Sequence, residues 1–186
     1  AGGNDSMDTV DKLAAYCKEH KIEDIHVMGA PKTIDNDLVG TDHCPGFGSA
    51  AKYIATTFSE LERDCHVYDT KAVTIVEVMG RNAGYIALEA GIACGAEVIL
   101  VPEKKWSFDE DVLRPVLESK ARGKKHTIII VAEGIGGVVD MAKEIETKTG
   151  IETRWTILGH VQRGGSPSVR DRVTASEMGA KCVELL

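Results

Sequence analysis

Apolar residues recur along this chain with two alternating periods. Short runs of β-branched and aliphatic residues, Ile25 to Met28, Val73 to Met79, Glu97 to Glu103, Thr127 to Ala132 and Thr153 to Leu158, read as strands. Between them the spacing changes to three and four. That spacing predicts helices over Met7 to Lys18, through Met7, Val10, Leu13, Ala14 and Cys17, and after Ser49, through Tyr53, Ile54, Thr57, Phe58 and Leu61. Further helices are predicted over Tyr85 to Cys94, Phe108 to Lys120, Val139 to Lys148 and Arg170 to Leu186. Strand, loop and helix in repeated succession imply an α/β fold with mainly parallel sheets and helices on both faces. Glu77, inside a strand run, is expected to be a buried, satisfied core carboxylate.

Each predicted strand ends in a polar or Gly-rich loop, the place where open α/β folds bind ligands. The richest is Ala30-Pro31-Lys32-Thr33-Ile34-Asp35-Asn36-Asp37. In an extended segment Asp35 and Asp37 point the same way, and such a pair can divide the work of proton acceptor and magnesium ligand. Thr33 adds a hydroxyl and Lys32 a mobile positive charge. Asp and Asn also favour plain turns, so this loop gains weight only from the others. Gly2-Gly3-Asn4-Asp5-Ser6 opens a helix and offers free backbone N–H groups to a phosphate, with Ser6 alternatively a helix cap. Gly80-Arg81 and the loop Gly159 to Pro167, where His160 and Arg163 lie close together, supply cationic groups, and Glu133-Gly134 opens another charged, Gly-rich loop. Arg122-Gly123-Lys124-Lys125-His126 is a basic patch, read equally as a solvated face or an anion site.

Composition narrows the class. With 186 residues, 43% hydrophobic and 27% charged, the chain is long enough for a real core. A net charge of −7 without any basic arm argues against non-specific nucleic-acid binding. The cysteines Cys17, Cys44, Cys65, Cys94 and Cys182 form no C-x-x-C pair and are expected to be reduced core residues, which points to the cytosol, a cytoplasmic location. No apolar run reaches membrane-spanning length. The opening loop and the uncapped final helix suggest a chain cut from a larger protein.

Taken together the loops resemble those of the phosphofructokinase family over essentially the whole chain. Pro31 to Asp37, Glu77-Val78-Met79-Gly80-Arg81, Glu133-Gly134 and Gly159-His160-Val161-Gln162-Arg163-Gly164-Gly165-Ser166-Pro167 stand in the family order. The resemblance implies a two-lobed fold incomplete at both ends, with 1–48 and 162–186 a partial phosphoryl-donor lobe and 49–161 the sugar-phosphate lobe. It further implies that Asp35 is the base for the sugar 1-hydroxyl, with Thr33 and Lys32 beside it. Asp37, helped by Asn4, would hold Mg2+. Met79, Gly80, Arg81 and Glu133 would seat fructose 6-phosphate, while His160 and Arg163 grip its phosphate and Arg154 reaches in from a neighbouring subunit. The full-length protein would be a homodimer or homotetramer, and this chain alone would not turn over substrate.

Two residues bear on the phosphoryl donor. Asp5 and Lys32 stand where ATP-using members usually have Gly, and the pyrophosphate-using members are similar to this chain at both positions. An Asp5 carboxylate fills room and sets a negative charge against a nucleotide α-phosphate, while Lys32 balances pyrophosphate. Gly3, Asn4, Asp5 and Ser6 with Lys32 are thus the expected donor residues, with pyrophosphate the main reading and ATP the alternative. Asn4 replaces a family Asp, and Ala72 stands where many bacterial members carry an Arg given across the subunit interface. Glu97, Arg122, Lys124 and Lys125 resemble an effector loop. The rival readings are a lipid or nicotinamide-dinucleotide kinase, which shares a loop like Gly2 to Ser6, and a non-catalytic sugar-phosphate-binding module.

Overall fold

The computed structural model describes residues 1–66 and 71–186, the side chains of 64–66 excepted. Helix α1 (Asn4–Glu19) and helix α2 (Phe47–His66) precede strand β1 (Ala72–Val78) and helix α3 (Tyr85–Cys94). Strand β2 (Val98–Leu100) then leads into a π-helical turn (Phe108–Leu113) continuous with helix α4 (Arg114–Ala121). Strand β3 (His126–Ala132), helix α5 (Val138–Thr149), strand β4 (Glu152–Ile157), a 3-10 turn (Gly159–Arg163) and helix α6 (Val169–Glu184) complete the order.

The strands form one parallel sheet in the order β2-β3-β1-β4. Strand β3 is buried at all seven positions, as its unbroken apolar run demands of a strand covered on both faces. On one face, Val76, Val78, Ile128, Ile130 and Ala132 pack against Ile54 and Phe58 of α2 and Ile86, Ala87 and Ala90 of α3. On the other, Val73, Ile75, Ile129 and Val131 meet Val116 of α4 and Met141, Ala142 and Ile145 of α5. The connection β1-α3-β2 steps across the sheet one way on the first face. Those through α4 and α5 step the other way on the second, so all three crossovers keep one hand.

Three expectations are corrected. Residues 25–28 form no strand, because no described strand lies beside them to accept their backbone groups; Ile25 is 51% exposed, and Gly2 with Pro31 makes only an isolated bridge. Helix α1 forms as its spacing predicts, but of its apolar face only Cys17 is buried, since no described layer covers Leu13. Glu77 is half-buried, lying opposite the exposed Ile157 where its face of the sheet opens. Cys17, Cys44, Cys94 and Cys182 are free thiols, and the Cys65 side chain lies outside the described residues.

The covered and bare faces should respond differently to truncation. Ile130→Ala, at a fully buried site on an inner strand, is expected to cost about 3 kcal/mol in urea unfolding. Leu13→Ala on the bare face of α1 should cost no more than about 0.5 kcal/mol.

Candidate active site

Parallel pairing puts the carboxyl ends of β1, β3 and β4 at one edge of the sheet. Past that edge the chain delivers Arg81 after β1, Glu133 after β3 and the 3-10 turn after β4. The segment 30–37 is clipped to the amino-terminal turn by two backbone hydrogen bonds. The Gly2 N–H donates to the Ala30 carbonyl at 3.1 Å, and the Lys32 N–H donates to the Gly2 carbonyl at 2.8 Å. A cleft of about 360 Å³ results, lined by Gly2 to Met7, Pro31 to Asp35, Asp37, Leu38, Arg81 and Arg163. Acid, cations and the Gly-rich turn therefore share one mouth.

Asp35 is buried at 8% exposure, while Asp37 stands in solvent. The two do not project in parallel from an extended segment, because Asn36 between them has φ of +59° and its Oδ1 accepts the Cys44 N–H at 2.7 Å. Asn tolerates that left-handed conformation better than most residues. Burial is the main force raising the Asp35 carboxyl above its ordinary value, followed by the Asp37 charge; the Thr33 hydrogen bond opposes, Glu133 raises and Arg163 lowers. Burial and Asp37 set that direction. The same influences place Asp35 within electrostatic reach of both Glu133 and Arg163.

The end of β1 is held under backbone strain. Gly80 has φ of +144°, and a Cβ there would sit 2.3 Å from the Ala83 carbonyl oxygen, so only Gly fits. Arg81 follows at φ of +51°, a conformation that costs a non-Gly residue roughly 1–2 kcal/mol. Glu133 Oε1 accepts both the Gly80 and the Arg81 N–H. Met79 is buried, and its N–H donates to Gln162 Oε1.

The loop expected at Gly159 to Arg163 is a 3-10 turn. With three residues per turn, His160 and Arg163 come to lie one above the other on the same side, both exposed. Arg163 lines the cleft and His160 does not. Arg154 also stays out of it, its guanidinium bound to Glu152 Oε1 at 2.8 Å on the edge strand β4. Ser6 lies inside α1, whose cap is Gly3, so its reading as a cap is set aside. At the opposite edge of the sheet, about 20 Å away by strand length, Glu97, Lys124 and Lys125 line a second cleft of about 270 Å³ without Arg122. There Glu97 pairs with Lys124, and its Oε2 accepts the Ile128 N–H at 2.7 Å.

Sequence reasoning missed Asp171. Its buried carboxylate accepts hydrogen bonds from the Gly46 and Ser49 N–H groups at the start of α2, from the Ser49 and Ser168 hydroxyls and from His43 Nε2. The amino end of α2, with its unsatisfied N–H groups, is thus filled by an acid from α6. Ser168 caps α6 by accepting the Asp171 N–H, and that Ser-x-x-Asp spacing was the signal available beforehand. Burial alone would raise the Asp171 carboxyl, but hydrogen bonds from Ser49, Gly46, His43 and Ser168 outweigh it and hold it at about 2.

Comparison with known proteins identifies the family. The family model described as phosphofructokinase matches residues 1–186. The chain belongs to the phosphofructokinase family. It is 54% identical over 162 residues to the ATP-dependent 6-phosphofructokinase 1 of Clostridium perfringens, covering 87% of this chain and 50% of that one. It is 47% identical to the ATP-dependent 6-phosphofructokinase of Clostridium acetobutylicum, covering all of this chain and 55% of the relative. The chain therefore spans about half the length of the curated relatives it matches. Among solved structures, a pyrophosphate-dependent phosphofructokinase from Marinobacter aquaeolei superposes with a TM-score of 0.83 at 34% identity, over 99% of this chain and 50% of that one. Phosphofructokinase from Saccharomyces cerevisiae gives 0.81 at 28% identity, over 98% and 26%.

A carboxylate whose pKa is depressed by folding stabilises the fold above its ordinary value of 3.8, and that contribution is lost as pH falls towards about 2. Asp171→Asn should accordingly lower stability at pH 7 by about 2 kcal/mol. The gap to wild type should narrow as urea midpoints are followed from pH 5 downwards.

Proposed function

We propose that this chain carries the sugar-phosphate seat and the catalytic base of a phosphofructokinase, which transfers a phosphoryl group from pyrophosphate to the 1-hydroxyl of fructose 6-phosphate to give fructose 1,6-bisphosphate in glycolysis. The observation that supports it is the single cleft shared by Asp35, Arg81, Arg163 and the amino-terminal turn of α1. In this reading Asp35 takes the proton from the 1-hydroxyl as that oxygen bonds the transferred phosphorus, while the bond to the departing phosphate breaks. Burial makes Asp35 a stronger proton acceptor than an exposed carboxylate. Arg81 and Arg163 hold the phosphoester, while His160, on the same side of the 3-10 turn, borders it from outside the cleft's lining, and Met79, Gly80 and Glu133 shape the seat. Thr33 orients Asp35, and its Oγ1 accepts the Asp35 N–H at 3.1 Å.

The donor lies against Gly3, Asn4, Asp5 and Ser6, where the start of α1 offers backbone N–H groups, with Lys32 across from them. Phosphoryl transfer relies on such positioning and charge neutralisation rather than covalent catalysis. Among the described residues no cluster of three or more acidic, His or Cys ligands could form a protein cage for a metal. Asp37 with Asn4 nevertheless fits magnesium, which takes one or two protein oxygens and completes its shell with water and phosphate. When bound it would neutralise charge on the transferred group.

Asp5 and Lys32, both lining the cleft, support pyrophosphate through their charge and bulk. ATP is the second reading, favoured by the names of the Clostridium relatives. Arg154, turned away from this cleft on an edge strand, fits a role in a neighbouring subunit of a homodimer or homotetramer. An anionic effector at Lys124 and Lys125 would have to compete with the Glu97 ion pair. The lobe division at 48/49 and 161/162 also belongs to this reading, with Asp171 bonded to backbone on both sides of the first boundary.

The test is donor comparison at full family length, by coupled assay with pyrophosphate and ATP. Asp35→Ala should lower kcat by about three orders of magnitude or more while leaving the affinity for fructose 6-phosphate near wild type. Because the base works only when ionised and its pKa is raised, kcat should fall as pH drops, and at a higher pH than the ordinary value of an exposed aspartate would set. Turnover with neither donor would overturn the assignment. Asp5→Gly should raise the ATP rate relative to the pyrophosphate rate by roughly tenfold or more, and an unchanged ratio would remove Asp5 from donor choice.

A further inference from the structure

Gln162 is 2% exposed, yet it carries a full amide, and a buried amide needs partners for both ends. Its Oε1 accepts the Met79 N–H at 3.1 Å, and its Nε2 donates to the Gly159 carbonyl at 2.9 Å. The β1–β4 ladder explains why a side chain is used here. The Leu158 N–H still donates to the Glu77 carbonyl at 3.2 Å, in step with the register Glu77 opposite Ile157. Beyond it the chain turns out of the sheet into the 3-10 turn, so β4 has no backbone carbonyl for the Met79 N–H. The Gln162 amide oxygen takes that place.

Three consecutive N–H groups, of Met79, Gly80 and Arg81, are thereby received by side chains from the two strands that flank β1: Gln162 beyond β4, and Glu133 beyond β3. Gln162 is also the immediate neighbour of Arg163 and, through Gly159, ties down the start of the turn that carries His160. One buried amide thus joins the backbone two residues before Arg81 to the turn that ends in Arg163, and both arginines line the cleft.

We infer that Gln162 is a positioning residue that sets the spacing and orientation of Arg81 relative to Arg163, and so governs affinity for the sugar phosphate without touching it. The inference rests on the proposed seating of fructose 6-phosphate between those arginines. It separates the two substrates, because the donor residues Gly3 to Ser6 and Lys32 hang on a different pair of backbone bonds, between Gly2 and residues 30 and 32.

The experiment is steady-state kinetics at full family length, with thermal unfolding run alongside. Gln162→Leu removes both polar ends at similar size, and it should raise the KM for fructose 6-phosphate on the order of tenfold or more, the usual scale for losing a supporting contact. The KM for the phosphoryl donor should stay within about twofold. A purely structural role would instead lower Tm and leave the two KM values unchanged or shift them together, and that result overturns the inference. Gln162→Glu provides a second test, and the deciding one should the Leu variant not fold. Its carboxyl accepts from Met79 at any pH but donates to Gly159 only when protonated. The ratio of its fructose 6-phosphate KM to that of wild type should therefore rise with pH through a carboxyl pKa raised by burial. A ratio independent of pH sinks the inference. Wild type that neither phosphorylates fructose 6-phosphate nor shows a Tm shift with it would overturn the underlying function itself. Active wild type with an indifferent Gln162→Leu would overturn only the role of Gln162.

Discussion

The parallel register of β1 with β3 on one side and β4 on the other is the constraint from which the rest follows. It makes the strands end together, so that residues separated by about eighty positions emerge within reach of one another. It also creates a difficulty at the end of β1, where N–H groups continue after both neighbouring strands have turned away. Backbone donors buried without acceptors are costly. The chain meets the difficulty with Glu133 and Gln162, and the Glu133 bonds hold Arg81 in a conformation a non-Gly residue does not otherwise favour. Strain of this kind gathers where function needs a side chain aimed in one direction.

A second constraint acts on charge. The cleft concentrates Asp35, Asp37 and Glu133 near Arg81, Arg163 and Lys32 in a chain whose net charge is −7. Burial turns the Asp35 carboxyl toward the proton-binding side, whereas the equally buried Asp171 is turned the other way by five hydrogen-bond donors. Two aspartates of similar exposure therefore do opposite work. One keeps an affinity for protons that suits a base, and the other is a fixed anion that binds α6 to the start of α2.

Much of this was legible in advance where the cause was local. The run Thr127 to Ala132, short and rich in β-branched residues, was the most strand-like in the chain, and the three-and-four spacing of Tyr53 to Leu61 marked one side of a helix for burial. The loops after strands were legible for the same reason, since polar and Gly residues between apolar runs have few other places to go. The motif residues Lys32 to Asp37, Arg81 and Arg163 were thus recognisable before their meeting was observed. Residues 25–28 misled because strand formation depends on a neighbour as well as on composition. The pair Asp35 and Asp37 misled because one left-handed residue, Asn36, breaks the alternation that an extended chain would keep.

The amino-acid order by itself determined the helices and the four strands of the sheet, the α/β class, and the family to which the loops belong, because those depend on periodicity and on short motifs read along the chain. Tertiary structure alone decided that Arg163 enters the cleft while Arg154 and His160 stay outside it, and that Asp35 is buried while Asp37 is not. It alone gave Gln162 and Asp171 their roles. They depend on groups up to 128 residues apart meeting in space, as His43 and Asp171 do at hydrogen-bonding distance, and such a meeting has no period or spacing in one dimension.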